Sequence, residues 1–233
     1  MNIRILHGKQ GAAEAAGLAV VIDVFRAFST ACYAYAGGCK AIYPTGSIAE
    51  AYRRQEELPG ALLVGERGGV MVEGFDFGNS PSLIAAADVR GRSIVHTTSA
   101  GTQGLIGAAQ AEEVITGAFV NAAAIARYIR QSAAREVSLI AMGLGGTEPA
   151  DEDTLCAEYL RDLLLNRPVD FAEIRRYLAE DSTTGRFLDL VGEASAPKED
   201  FDYCLDLDRF AFVLRAEWED GRLVLRQIPV SAG

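Results

Sequence analysis

Along the first 142 residues, short and nearly continuous apolar runs alternate with segments of helical period. "LAVVIDV" (18–24) is followed by "STACYAYAGG", "AIYP" by "SIAEAYRRQEEL", and "ALLVG" ends at residue 65. After "GERGGVMVEGFDFGNSP" (65–81) the alternation resumes with "SPSLIAAA", "SIVHTT", "SAGTQGLIGAAQ", "EEVITGAFV", "NAAAIARYIRQSAA" and "EVSLIAM" (136–142). Unbroken apolar runs of this length suit strands covered on both faces. The element order therefore predicts an α/β fold with a mostly parallel or mixed sheet and helices on both faces, in three layers. Ser47 and Glu50 fit a capping box, and Gly37-Gly38 a helix end.

The glycine-rich "GLGGTEPADED" (143–153) is the best place for a boundary. It predicts a main lobe over 1–145 and a C-terminal helical and β lobe over 146–233, with the site between them. In that second part "EDTLCAEYLRDLLL" and helix-like segments reach about residue 206, and "FAFVLRAE" and "RLVLRQIPV" flank a Glu-Asp-Gly turn, which reads as a hairpin.

Composition narrows the function. A chain of 233 residues buries a substantial core, and no apolar run approaches a membrane span. The N-terminus lacks a basic flank followed by an apolar segment, so the expected compartment is the cytoplasm. Cys32, Cys39, Cys156 and Cys204 lie in or beside apolar stretches without metal-type spacing, as buried thiols do. A net charge of −10 argues against nucleic acid as a partner. A small anion needs only local positive charge. A homo-oligomer is compatible with everything above.

In an open parallel sheet ligands bind beyond the carboxyl ends of the strands, so the chemistry is sought there. Those ends carry Asp23, Arg26, Ser29 and Thr30; Glu66 and Arg67; His96, Thr97, Thr98, Ser99, Gly101 and Thr102; Asn121; and the glycine loop before Glu148, Asp151, Glu152 and Asp153. Hydroxyls and amides at helix starts suit an anion, arginine grips phosphate with two parallel bonds, and carboxylates supply hard oxygens for Mg²⁺. Together they describe a phosphate site with a magnesium ion. Plainer roles compete: Ser29, Thr98, Ser99 and Asn121 as helix N-caps, Asp23 with Arg26 as a structural ion pair, His96 as a hydrogen-bonded core residue. A P-loop, a dinucleotide-binding G-x-G-x-x-G after the first strand and a G-x-S-x-G elbow are all missing.

The ordered set "DVFRAFST", "GERGGVMVEGFDFGNSP", "TTSAGT", "GAFVNA" and "EDTLCAEYL" resembles the 2-phosphosulfolactate phosphatase family, over residues of about 18 to 165. The resemblance implies Mg²⁺-dependent hydrolysis of the phosphate ester of a small sulfonated hydroxy acid, a step in making coenzyme M. Two local departures, Phe28-Ser29-Thr30 for three threonines and Ala100 for asparagine, remove a hydroxyl and an amide near the expected anion. On this reading Asp23, Glu66 and Asp153 supply the metal's carboxylates, and Arg26 and Arg67 hold the anionic ends of the substrate. Asn79 and Ser80, with Ser29, Thr30, Thr98, Ser99, Gly101, Thr102 and Asn121, provide neutral contacts. Asp23 attacks phosphorus or orients a metal-bound water. A phosphatase for another small phosphorylated acid and a non-catalytic anion-binding protein remain as alternatives.

Overall fold

The computed structural model describes residues 1–180 and 197–231. Part of the helical stretch expected up to about residue 206 lies outside these described residues. Among the described residues ten strands form one mixed sheet. In chain order, β1 (Asn2–His7) and α1 (Gly8–Ala13) precede β2 (Leu18–Ile22), α2 (Ala27–Ala36), β3 (Ala41–Pro44) and α3 (Ile48–Glu57). Next come the strands β4 (Leu62–Arg67) and β5 (Val70–Met71), α4 (Pro81–Ala86), β6 (Ser93–Thr97), α5 (Gly101–Gly107) and β7 (Glu113–Gly117). The remainder is α6 (Ala122–Gln131), β8 (Glu136–Ala141), α7 (Asp151–Leu164), α8 (Phe171–Glu180), α9 (Glu199–Cys204), β9 (Phe212–Glu219) and β10 (Arg222–Pro229). Across the sheet the strands run β1-β8-β2-β7-β9-β10-β3-β6-β4-β5. Among the described residues no helix is long and apolar enough to cross a membrane.

Strand alternation explains the three layers. In β2, Ala19 and Val21 join a core with Phe28 of α2, Ile84 of α4 and Leu105 of α5. Leu18, Val20 and Ile22 point the other way, toward Ile125 of α6, Leu160 of α7 and Leu178 of α8. A smaller cluster packs Ala51 of α3 on Leu63 and Val95. Local signals behave as their chemistry requires. Ser47 accepts from the Glu50 N–H at 3.1 Å while the Glu50 carboxylate takes the Gly46 N–H at 2.9 Å. Pro81 opens α4 behind Ser80, whose hydroxyl caps the Leu83 N–H.

The C-terminal hairpin turns on Asp220 and Gly221, both at positive φ (48° and 72°), which matches the twist of its strands. Its place in the sheet follows from burial: Val213, Leu214, Val224 and Leu225 are all fully covered. β9 pairs antiparallel with β7, and β10 antiparallel with β3. Strands from both sides of the boundary expected at 145–146 thus share the sheet, because the hairpin fills its middle. Two parallel groups, β1-β8-β2-β7 and β3-β6-β4, flank it and run in opposite senses. A twist of roughly 20–25° per step accumulates to about 100–125° over the five steps from β2 to β6. That rotation lets carboxyl ends from the two groups face one hollow.

Candidate active site

The hollow is a cavity of about 480 Å³ lined by Asp23, Arg26, Glu66, Asn79, Ser99 and Asp153, with Phe25, Leu144, Pro149 and Ala150 as an apolar wall. Four strand ends contribute: Asp23 follows β2, Glu66 ends β4, Ser99 follows β6, and the loop after β8 leads to Asp153 in the first turn of α7.

Asp23 is 6% exposed, and its Oδ1 accepts the Ala27 N–H at 3.1 Å across the start of α2. Gly101 approaches from the other side. A Cβ there would lie 2.8 Å from both Asp23 Oδ2 and Ala27 Cβ, so only glycine allows α5 to start this close. Asp153 clamps two strand ends, with Oδ1 on the Val24 N–H (2.7 Å) and Oδ2 on the Gly143 N–H (2.8 Å). Glu66 accepts from the Ser99 N–H (2.7 Å), the Ser99 hydroxyl (3.1 Å) and the Gly69 N–H (2.7 Å).

Burial pushes the Asp23 carboxyl up to about 6, the Glu66 charge adding to it against the backbone N–H groups of Ala27 and Gly101. Asp153 is raised well above the usual carboxylate range by burial first, then by Asp23 and Glu152. Five carboxylates (with Glu148 and Glu152) and one guanidinium line the cavity among the described residues. Such an excess of one sign holds only where a cation or protons offset it. No three His, Cys, Asp or Glu side chains among the described residues form a ready-made metal cluster. The donors are nonetheless hard oxygens, and Mg²⁺ is commonly held by one or two carboxylates with waters and substrate phosphate completing its shell. The residues fit that ion.

Arg26 is 4% exposed and reaches the cavity from the turn into α2, after a cis Phe25–Arg26 peptide. Its Nη1 donates to Asp200 Oδ2 at 2.8 Å and its Nη2 to the Gly69 carbonyl at 3.2 Å. Among the described residues it is therefore ion-paired with Asp200, rather than with Asp23.

Arg67 departs from expectation. Residues 66 and 67 belong to β4, paired with β5 through Glu66–Met71 and Arg67–Val70, and neighbours in a strand point to opposite faces. Glu66 turns into the cavity. Arg67 turns away from its lining and donates to the Glu66 carbonyl (2.6 Å) and to Thr97 Oγ1 (2.8 Å). Arg67→Ala is accordingly expected to keep kcat/KM within about tenfold of wild type, far short of any loss at Arg26; steady-state kinetics of purified variants check this.

Several neutral residues frame the cavity without lining it. Thr98 and Thr102 exchange hydroxyl-to-backbone bonds (3.0 and 3.1 Å) that fix the turn presenting Ser99 and Gly101. Ser29 donates to the Val24 carbonyl at 2.8 Å, Thr30 is buried within α2, and Asn121 Nδ2 donates to the Phe212 carbonyl at 3.2 Å, tying in β9. Ser80 donates to Asp200 at 2.7 Å. Asn79 does line the cavity, its Oδ1 facing His96 Nε2 at 3.2 Å. Burial holds His96 down at about 4, so it stays neutral and fixes Asn79. Ala100 also lines the wall, where asparagine is expected from the resemblance.

Asp200 is the residue that sequence reasoning missed. It shares a buried helical face with Cys204, four positions on, and an acid on the covered face of a short helix was the available signal.

Comparison with known proteins adds to this geometry. Residues 5–217 match the family described as 2-phosphosulpholactate phosphatase. A probable 2-phosphosulfolactate phosphatase of Bacillus subtilis is 30% identical over 226 residues, 96% of each chain. Another, of Carboxydothermus hydrogenoformans, is 34% identical over 220 residues, 88% of this chain and 89% of its own. One from Gloeobacter violaceus is 35% identical over 223 residues, covering 89% and 92%.

Proposed function

The chain belongs to the 2-phosphosulpholactate phosphatase family, and from that premise we propose that it hydrolyses 2-phosphosulfolactate, or a close small phosphorylated acid, with Mg²⁺ as cofactor. The observation that carries this reading is the convergence of Asp23, Glu66, Asp153 and Arg26 on one cavity from separate strand ends and a helix start. The role in making coenzyme M belongs to the same proposal.

Phosphoryl transfer asks the protein mainly for positioning and for neutralisation of charge on the phosphate oxygens. A substrate carrying phosphate, sulfonate and carboxylate enters a cavity already rich in carboxylates, so repulsion must be offset locally. Arg26 offers a guanidinium from the cavity lining. Bound Mg²⁺, held through a carboxylate pair drawn from Asp23, Glu66 and Asp153, would supply Lewis acidity toward the phosphate. Asp23 stands ready either to attack phosphorus or to orient a water, its Oδ1 aimed by the Ala27 N–H. The wall of Phe25, Leu144, Pro149 and Ala150 suits the carbon skeleton of a small acid and sheds water around the charges.

Phosphate release from a panel of 2-phosphosulfolactate, phospholactate and phosphoglycolate tests the reading. Preference for the sulfonate ester is expected; equal rates across the panel would defeat the substrate assignment, and no release from any ester would defeat the catalytic one. Trapping a phosphoenzyme, or following oxygen isotope in a single turnover, separates the two roles of Asp23.

A second expectation needs no turnover. Because Asp23 is repelled by Glu66 and in turn repels Asp153, Mg²⁺ should raise the thermal midpoint of the wild type with saturation, as any ligand of the folded state does. The rise should shrink in Asp153→Asn, and differential scanning fluorimetry reads both.

A further inference from the structure

We propose that Asp200, on α9, is the positioning residue for Arg26: it holds the guanidinium at the cavity from behind, without touching substrate. The inference rests on the functional reading above only for the identity of the anion that Arg26 meets.

Asp200 is completely buried and is not part of the cavity lining. Its two oxygens are divided between two tasks. Oδ2 takes Arg26 Nη1 at 2.8 Å. Oδ1 takes the Ser80 hydroxyl (2.7 Å), the Ser82 N–H (3.0 Å) and the Ser82 hydroxyl (2.6 Å), all at the start of α4. The carboxylate is thus fixed by α4 before it fixes the arginine. The same start of α4 follows directly on Asn79, so one acid sets two lining residues relative to each other.

A buried arginine facing an anion site has two problems that Asp200 addresses. A guanidinium on a flexible stem loses rotamer freedom when it grips a ligand, and pre-ordering it removes that loss from the binding step. A bare buried charge is also costly, whereas a paired one with its donors satisfied persists. With Asp200 on Nη1 and the Gly69 carbonyl on Nη2, the guanidinium plane is pinned at both terminal nitrogens. If Asp200 served only to anchor α9, a serine-lined pocket would suffice; the direct bond to Arg26 gives it a predicted kinetic effect as well.

The test is a double-mutant cycle on the full chain, with 2-phosphosulfolactate as substrate and inorganic phosphate as competing anion. Asp200→Asn keeps the size and an acceptor toward Ser80 and Ser82, but turns an amide toward Arg26. It is expected to lower kcat/KM by about 100-fold, mainly through KM, and to weaken phosphate inhibition in parallel. In an Arg26→Met background the same change is expected to cost less than about threefold, since no guanidinium remains to be aimed. Equal losses in both backgrounds, or wild-type kinetics for Asp200→Asn, would overturn the proposal. Should Asp200→Asn fail to fold, Ser82→Ala carries the test: about fivefold is expected with Arg26 present and none in the Arg26→Met background, and equal losses again overturn it. If the wild type releases no phosphate from any ester, the functional reading falls alone. The cycle is then scored on phosphate-induced thermal stabilisation, where a loss confined to the Arg26 background upholds the positioning role and equal losses reject it.

Discussion

Asp23→Asn should abolish turnover, by at least about a thousandfold in kcat, and at the same time raise the thermal midpoint of the metal-free protein. Both effects come from one cause. The carboxyl is buried to 6% exposure and pushed up to about 6 from 3.8, chiefly by burial, so its charge opposes the fold at neutral pH. The difference corresponds to about 3 kcal/mol, and an amide of the same shape removes it while still accepting from Ala27. The sign is fixed by linkage. Between pH 3.8 and about 6 the folded chain keeps a proton that the unfolded chain has released. This contribution to stability is full below that window and is lost as pH rises through it. Asp153, raised in the same direction by burial first and then by the Asp23 charge, adds a slope of the same sign that the variant retains only in part. Urea titrations at pH 4.5 and 7 on wild type and variant measure the change. Wild-type turnover in Asp23→Asn would reject both its nucleophilic and its water-orienting role, and an unmoved midpoint would show that no buried charge sits there.

The parts of this fold that were legible in the sequence are those whose causes are local. "LAVVI" reads as a covered strand because every position in it is buried. The hairpin reads from Asp220-Gly221, which alone among its residues need positive φ. By contrast β1, "NIRILH", sits at the sheet edge with no fully buried residue, so its apolar signal is weak, and it escaped the sequence reading with α1. The central position of β9 and β10 was also out of reach. It depends on which edges remain free after the parallel groups form, which no short window encodes.

The same division runs through the site. Asp23 and Glu66 drew notice because an acid closing an apolar strand is costly without a partner, whereas Asp153, in the first turn of a helix where an acid is favourable anyway, entered only with the metal that the resemblance implies. Glu66 and Arg67 looked equivalent as residues beyond the end of one strand, and the pairing of β4 with β5 separated them. Ser29, Thr30 and Asn121 have the right chemistry at the right strand ends, yet they are spent inside, on carbonyls and helix packing. Asp200 lies 174 residues from the arginine it binds, so its meaning exists only in three dimensions.

That long-range pair yields the other large effect. Arg26→Met should cut kcat/KM by about a thousandfold or more, since it removes the single guanidinium among the described cavity-lining residues. It should also destabilise the fold by about 3–5 kcal/mol, because a completely buried Asp200 is left charged without its counter-ion. The two losses are separable. Adding Asp200→Asn to Arg26→Met neutralises the orphaned acid while sparing its bonds with Ser80 and Ser82, so stability should recover by several kcal/mol while activity stays low. Denaturant midpoints of the four proteins in the cycle decide the point. A double variant no more stable than Arg26→Met would mean that Asp200 bears no stranded charge, and that its serine partners alone hold α9 against α4.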